Sequence, residues 1–391
     1  MLERRGAGMR HDRHLRHALI DWFPQARVRA ARIAVVGAGA VGNEVVKNLA
    51  LLGAGAIDVF DFDRVELHNL TRAVFLREAD VGAPKASALA ARAAEVDPAV
   101  RVTAVEGDFW DTLPLAALAG YDCAVAAVDN FEARVRLNRM CRIAGVDFVS
   151  AGIDSRLASL EAFPFASNPD CACYECHLPE SAYQRIAARY SCGGLRRVAA
   201  AERLVPTTAI TASVAGALAA SAALRLGRDA GDGARRVLFD TIGGGASVAA
   251  LARRAGCAGC GDLGERPRVL AARAAWRERI AAIADDVAVQ TSDPLIVGYA
   301  CARCGDRSRA GQYVLRRARD FDDRIAICAA CGEPAVRIDI RDEFTAAELV
   351  RLYPDRPPPA KFAIARAGDG ALCLDFETDD QRPQQPQRRP E

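Results

Sequence analysis

One junction constrains this chain more than any other stretch. Arg32-Ile33-Ala34-Val35-Val36 runs directly into Gly37-Ala38-Gly39-Ala40-Val41-Gly42. The β-branched run reads as a buried parallel strand. The glycines after it demand a tight turn into a helix, from about Val41 to Leu52. Gly37 permits the turn, Gly39 lets phosphate approach the backbone, and Gly42 lets the helix pack close to the strand. The helix then presents its first N–H groups and positive dipole end to an anion. A glycine-rich turn alone also serves as a plain connection. Between a strand and a helix it reads as a phosphate site.

A second strand, Ala56 to Phe60, ends at Asp61-Phe62-Asp63. A carboxylate about twenty residues beyond such glycines typically accepts ribose hydroxyls. To this point NAD and ATP fit equally. Asn69, Arg72 and Lys85 then follow in the loops and turn after that strand. Hydride transfer needs no cluster of cations, whereas a triphosphate under attack needs several. Asp129-Asn130 follows a further strand, Cys123 to Val128, at the strand end where open parallel sheets bind ligands. Its carboxylate suits Mg²⁺, which takes oxygen ligands. A solvated loop with routine charge explains any one of these residues, but not all of them around one nucleotide loop.

The ordered series Gly-x-Gly-x-x-Gly, Asp61-Phe62-Asp63-x-Val65-Glu66-x-x-Asn69-Leu70-x-Arg72, Asp80-Val81-Gly82-x-x-Lys85 and Asp129-Asn130 resembles the ThiF/MoeB/HesA and ubiquitin-activating (E1-like) adenylyltransferase family, over about residues 10 to 262. The resemblance implies a doubly wound, Rossmann-like α/β adenylation domain. It implies ATP- and Mg²⁺-dependent adenylation of the C-terminal glycine of a ubiquitin-like or sulfur-carrier protein, with release of pyrophosphate. Gly37, Gly39, Gly42, Asp61, Asp63, Asn69, Arg72, Lys85, Asp129 and Asn130 would contact the nucleotide. Among them Asp61 would hold the ribose, Asn69, Arg72 and Lys85 the phosphates, and Asp129 the metal. The family completes the site with an N-terminal arginine from a second subunit. The matching stretch is Arg10-His11-Asp12-Arg13-His14, so Arg13 is the candidate and a homodimer is expected. One departure is visible: Ala73 stands where the family often has glutamine.

The 13 cysteines sort by spacing. Cys173/Cys176 with Cys257/Cys260, and Cys301/Cys304 with Cys328/Cys331, are two sets of paired Cys-x-x-Cys turns. Two such turns close a tetrahedral Zn²⁺ site, and with all four positions cysteine both sites are expected to be structural. Secreted disulfides, the plain alternative, do not suit an N-terminus without a signal-peptide apolar core. Cys123 and Cys141 lie in apolar patterns and read as core. Cys192 lies in Tyr190-Ser191-Cys192-Gly193-Gly194, with Arg185, Arg189, Arg196 and Arg197 around it. Cations favour the thiolate, the nucleophilic form. In the family a cysteine at this place often takes the carrier's acyl group as a thioester or forms a persulfide, and in some members it is dispensable. The alternative is an incidental thiol.

A net charge of +2 gives no global pointer to nucleic acid or membrane. Val205 to Leu224 carries no charge, but its Ala, Thr, Ser and Gly content reads as a closely packed buried helix, not a membrane span. A cytoplasmic enzyme is expected, with an adenylation domain over 1–264, a C-terminal module containing a zinc ribbon over 265–380, and a disordered tail over 381–391. Within the module, 266–286 reads as an Arg/Ala helix and 344–352 as a short helix. Strands are expected at 336–340, 362–364 and 371–376. The family resemblance stops past about residue 265, and the module's role stays open between recruiting a conjugating enzyme, binding nucleic acid and stabilising the fold. A conjugating enzyme or a sulfurtransferase is the expected downstream partner, and the residues do not separate conjugation from sulfur transfer. Adenylation of a small molecule or an RNA base is the rival within the fold. A binding-only scaffold would have to lack Arg72, Lys85 and Asp129, which are present. A nicotinamide oxidoreductase ranks last.

Overall fold

The expected strand-turn-helix junction is the centre of the first sheet. Here β1 (Arg32–Val36) lies between β2 (Ala56–Asp61) and β4 (Cys123–Ala126), parallel to both. The computed structural model describes residues 13–189, 206–225, 233–261, 266–306, 315–321, 327–328, 330–333, 337–367 and 370–378. Adding β3 (Arg101–Glu106), β5 (Asp147–Ile153), β6 (Leu157–Phe163), β7 (Arg235–Asp240) and β8 (Ala246–Ala250) gives the order β3-β2-β1-β4-β5-β6-β7-β8. The strands from β3 to β5 run parallel, and β5 to β8 are joined antiparallel. Between β1 and β4 the chain order reverses, and such switch points are where open α/β sheets bind ligands.

Helix α1 (Ala40–Leu52) follows β1 and stops at Gly53, whose φ of +77° suits a residue without a Cβ. Helix α2 (Lys85–Val96) follows the long loop after β2, and α3 (Phe131–Ala144) follows β4. Asn130 caps α3 by accepting from the Ala133 N–H at 2.9 Å. The uncharged segment forms α4 (Ala209–Ala223), capped by Thr208 and buried along Ala212, Ala215, Gly216, Ala219 and Ala220. A Cβ on Gly216 would lie 2.3 Å from the Cβ of Glu44 in α1, so only glycine permits this approach. The core of this unit gathers Ile33, Val35, Val45, Leu49, Ile57, Val59, Leu89, Val125 and Val149. No helix among the described residues is long and apolar enough to cross a membrane.

The chain divides into two compact units, one within Met1–Leu178 and Leu204–Asp262, the other within Pro179–Arg203 and Leu263–Glu391. The second unit holds β9 (Arg268–Ala271), β10 (Ala288–Cys301), β11 (Gly305–Asp306), β12 (Arg337–Thr345), β13 (Phe362–Ala367) and β14 (Gly370–Asp375). They form one sheet, ordered β11-β10-β13-β14-β9 with β12 also on β10. Helices α5 (Trp276–Ala281) and α6 (Ala346–Leu352) pack on it around Trp276, Ile280, Phe344, Leu349, Tyr353 and Phe376. The expectation of a helix over 266–286 is corrected. Arg268–Ala271 pairs in parallel with Leu372–Asp375, and only Trp276–Ala281 is α-helical. Distant strand pairing overrides the local helical preference of Arg and Ala. The long strand β10 also escaped the sequence reading. Asp293-Pro294 sits inside it, at a register shift between Gln290 and Leu295 against β12, and proline in a run argues against a strand.

Candidate functional site

The parallel strands bring the ends of β1, β2 and β4 level. The Gly37 N–H bonds the Phe60 carbonyl at 2.8 Å, and the Ala127 N–H bonds the Val36 carbonyl at 2.8 Å. Gly37 has φ +103°, and a Cβ there would lie 2.6 Å from the Ala127 oxygen. A Cβ on Gly42 would lie 1.9 Å from the Gly37 oxygen. A Cβ on Gly39 would meet nothing within 4 Å. The first and third glycines are thus required by the protein itself. The second faces open space at the N-terminus of α1, where the N–H groups lack helical partners.

Asp61 is tied into this loop. Its carboxylate accepts from the Ala38 N–H at 2.6 Å and from the Asp63 N–H at 2.7 Å. Burial pushes its pKa above the usual carboxylate value, the two N–H bonds and Lys85 opposing that rise. Asp63 pairs with the Lys85 ammonium at 2.9 Å, and the Lys85 N–H bonds the Asp63 carbonyl at 2.9 Å. The Val65 N–H to Ala83 and Gly82 N–H to Val65 bonds complete this clamp between the loop after β2 and the start of α2. Asn69 and Arg72 share one 3₁₀ turn, Leu67–Thr71 with Arg72 as its cap. Asn69 Oδ1 accepts from the Glu66 N–H at 3.0 Å, and an Arg72 guanidinium N–H donates to the His68 carbonyl at 2.8 Å. Asp129 is exposed just beyond β4, with the Asn130 amide 3.4 Å from its carboxylate.

Arg13 stands elsewhere. It pairs with Asp97 at 3.7 Å and donates to the Val96 carbonyl, at the C-terminal end of α2. Lys85 begins that helix, so Arg13 lies roughly 18 Å along it from Lys85 in its own protomer. Cys192 lies outside the described residues, as do Arg10, His11, Asp12 and the tail 381–391.

The sequence reading missed three contributors. Asn43, fully buried, donates to the Ala38 and Gly39 carbonyls at 2.8 and 3.0 Å and accepts from the Phe75 N–H at 3.0 Å. It joins the glycine loop to the loop of Arg72. Its only signal was a polar residue directly after the third glycine of the turn. Arg134 donates to the Val128 and Ala151 carbonyls and to Ser150 Oγ, fixing the loop that carries Asp129. Arg139, partly exposed, pairs with the fully buried Glu175, with both N–O contacts at 2.8 Å.

Both cysteine sets assemble. Cys173, Cys176, Cys257 and Cys260 form one cluster, and Cys301, Cys304, Cys328 and Cys331 another, each with its sulfurs within 4.8 Å of one another. Contacts of 3.4 Å for Cys176–Cys260, 3.6 Å for Cys301–Cys331 and 3.8 Å for Cys173–Cys257 match the ~3.8 Å edge of a tetrahedron built on Zn–S bonds. The Arg254 and Cys304 N–H groups point at Cys176 and Cys301 sulfur, both at 3.4 Å, as thiolates require. The donor sets fit Zn²⁺. Burial pushes Cys171 up to about 12 and raises Cys123, Cys141 and Cys373 well above the usual thiol value. These four are packed thiols, not nucleophiles.

A family model described as the ThiF family matches residues 11–265. SAMP-activating enzyme E1 of Haloferax volcanii is 37% identical over 173 residues, 44% of this chain and 63% of the relative. Sulfur carrier protein adenylyltransferase of Thermus thermophilus is 34% identical over 158 residues, 40% of this chain and 58% of the relative. The chain thus spans about three-fifths of these curated relatives. Among solved structures, E. coli MccB with succinimide superposes with a TM-score of 0.53 at 23% identity, over 64% of this chain and 74% of MccB. At that identity the likeness concerns the fold.

Proposed function

We propose, from the premise that the chain belongs to the ThiF family, that it is a cytoplasmic, ATP-dependent adenylyltransferase for the C-terminal glycine of a ubiquitin-like or sulfur-carrier protein. One observation carries the reading. The ends of β1, β2 and β4 gather an open glycine turn, the Asp61 carboxylate and the Lys85–Asp63 pair on one edge of the sheet, with Asp129 just beyond it.

Each residue then has a task. The N–H groups around Gly39 receive phosphate oxygens, and Asp61 takes the ribose hydroxyls with its remaining lone pairs. Asn69, Arg72 and Lys85 face the phosphates. Asp63 holds the Lys85 ammonium in place until a phosphate competes for it. Asp129, with Asn130 beside it, supplies oxygen for Mg²⁺, which neutralises phosphate charge when bound. A carboxylate oxygen of the carrier attacks the α-phosphorus. The new P–O bond forms as the bond to the bridging oxygen breaks, and pyrophosphate leaves with that electron pair. The fixed cations stabilise the growing charge. Arg13 reaches this edge from a second protomer of a homodimer. Cys192, as thiolate, then takes the acyl group and releases AMP, ahead of transfer to a conjugating enzyme; in the sulfur-transfer alternative a sulfurtransferase's persulfide attacks the acyl carbon of the adenylate and AMP leaves.

The test is Mg²⁺-dependent exchange of labelled pyrophosphate into ATP. It is expected with a small carrier protein ending Gly-Gly from the same genome. Absence of exchange with every such carrier overturns the reading.

A further inference from the structure

The loop of Asp129 lies at the start of one helix, and the Cys173/Cys176/Cys257/Cys260 cluster is tied to its middle. Asn130 caps α3 at its start, and Arg134 in the first turn grips the Val128 carbonyl just before Asp129. About one and a half turns on, Arg139 reaches Glu175, which lies between two of the cluster's cysteines. Its Nε and one terminal nitrogen each lie 2.8 Å from a Glu175 oxygen, and Glu175 has no exposed side-chain surface. Asn138 beside it accepts from the Tyr174 N–H at 3.0 Å. Asn130 and Arg139 are nine residues apart, roughly 14 Å along the helix.

Glu175 is also wedged between the two cysteine turns. It sits between Cys173 and Cys176 in sequence. A Cβ on Gly259, between Cys257 and Cys260, would come within 2.3 Å of its Oε1. The Arg254 N–H bonds Cys176 sulfur, and the Arg254 guanidinium reaches the Glu175 carbonyl at 3.5 Å. Closing the four sulfurs around a metal therefore sets the position of the Glu175 carboxylate. A charge buried this deeply holds its partner in one geometry.

We propose that Arg139 and Glu175 are a positioning pair that transmits the state of the first cysteine cluster through α3 to the Asp129 loop. The pair touches neither nucleotide nor metal. It sets where the Mg²⁺-binding end of the helix stands. This rests on the adenylation reading, since it assigns Asp129 to Mg²⁺.

The test uses the full chain loaded with zinc, as wild type, Arg139→Met and Arg139→Lys. Three quantities are read: zinc release to a chromophoric chelator, ATP affinity with and without Mg²⁺, and amide exchange over residues 127–133. Partners one step beyond a metal's ligands typically contribute 10- to 100-fold. Arg139→Met is expected to speed one phase of zinc release by about tenfold or more. It should cost on the order of tenfold in ATP affinity with Mg²⁺, and under about twofold without it. Exchange over 127–133 should rise, and Arg139→Lys, which keeps the charge but not the two-point contact, should recover part of each effect. If Arg139→Met does not fold, Arg139→Met with Glu175→Leu replaces the pair by apolar groups and should show the same Mg²⁺-specific loss. Faster zinc release with unchanged Mg²⁺-dependent affinity overturns the proposal. So does an equal loss with and without Mg²⁺, which marks general loosening. If wild type binds no ATP, the adenylation reading fails by itself. The coupling is then judged on exchange after zinc removal: faster exchange over 127–133 supports it, and unchanged exchange overturns it.

Discussion

Alanine at Gly39 and at Gly42 should separate the part of the glycine turn that serves ATP from the part that serves the fold. At Gly42 the added Cβ would stand 1.9 Å from the Gly37 oxygen. Opening that contact to ordinary packing moves helix or loop by about 1.5 Å, the scale on which misplaced groups lose ~100-fold in rate. Overpacking of this kind costs about 1–3 kcal/mol, or roughly 2–12 °C in Tm for a unit of this size. Gly39 is the opposite case. Its φ of −74° and ψ of −160° suit alanine, and its Cβ would meet no protein atom within 4 Å. A compatible Gly→Ala change leaves stability unchanged or raises it by about 0.4–1 kcal/mol. Yet the methyl would enter the space assigned to phosphate, so MgATP affinity should fall by at least about tenfold, or 1.4 kcal/mol. Calorimetric titration with MgATP and a thermal melt on each variant provide the check. Gly39→Ala that binds MgATP within about twofold of wild type would refute the placing of phosphate at this turn. Gly39→Ala that melts as early as Gly42→Ala would refute the argument from open space.

Lys85→Ala and Asp129→Ala should each lower carrier-dependent pyrophosphate exchange by about 100-fold or more, the scale for losing one transition-state contact; unchanged exchange in both removes them from the mechanism. Two Zn²⁺ per chain are expected by elemental analysis, lost as pH falls because protons compete for the thiolates; a count near zero overturns both metal assignments. Mixing Arg13→Ala with Lys85→Ala protein should restore activity through hybrid dimers, and a fully active monomer in light scattering would refute the cross-protomer role. Cys192→Ala should still exchange pyrophosphate but form no thiol- or hydroxylamine-sensitive adduct with the carrier. The same adduct and end product as wild type would make that cysteine incidental.

The first unit was legible because its signals are local. A β-branched run, three glycines and a carboxylate about twenty residues on mark β1, α1 and Asp61 without knowledge of any distant contact. The cysteine pairs were legible because two Cys-x-x-Cys turns that meet in one cluster repeat the same spacing. What escaped was set by partners far along the chain. Asn43 acts through Phe75, and Arg139 acts through Glu175. Arg268–Ala271 is a strand only because Leu372–Asp375 lies beside it. Strand β10 hid behind Asp293-Pro294, whose register shift the sheet accommodates and a linear pattern cannot display. Arg13 stood out only by its position in the sequence, which gave no sign of its pairing with Asp97 at the end of α2.

Helix α1 is pressed from two directions, by Gly216 of α4 against Glu44 and by the Gly37 carbonyl against Gly42. Neither contact has slack for even one methyl group. The turn proposed to cradle phosphate is thus held by packing on its helix side before ATP arrives. ATP capture in a stopped-flow experiment should therefore be a single step. Its observed rate should rise linearly with ATP concentration, without the plateau that a preceding rearrangement imposes. Differences among nucleotides should then appear in how fast each one leaves, not in how fast it arrives.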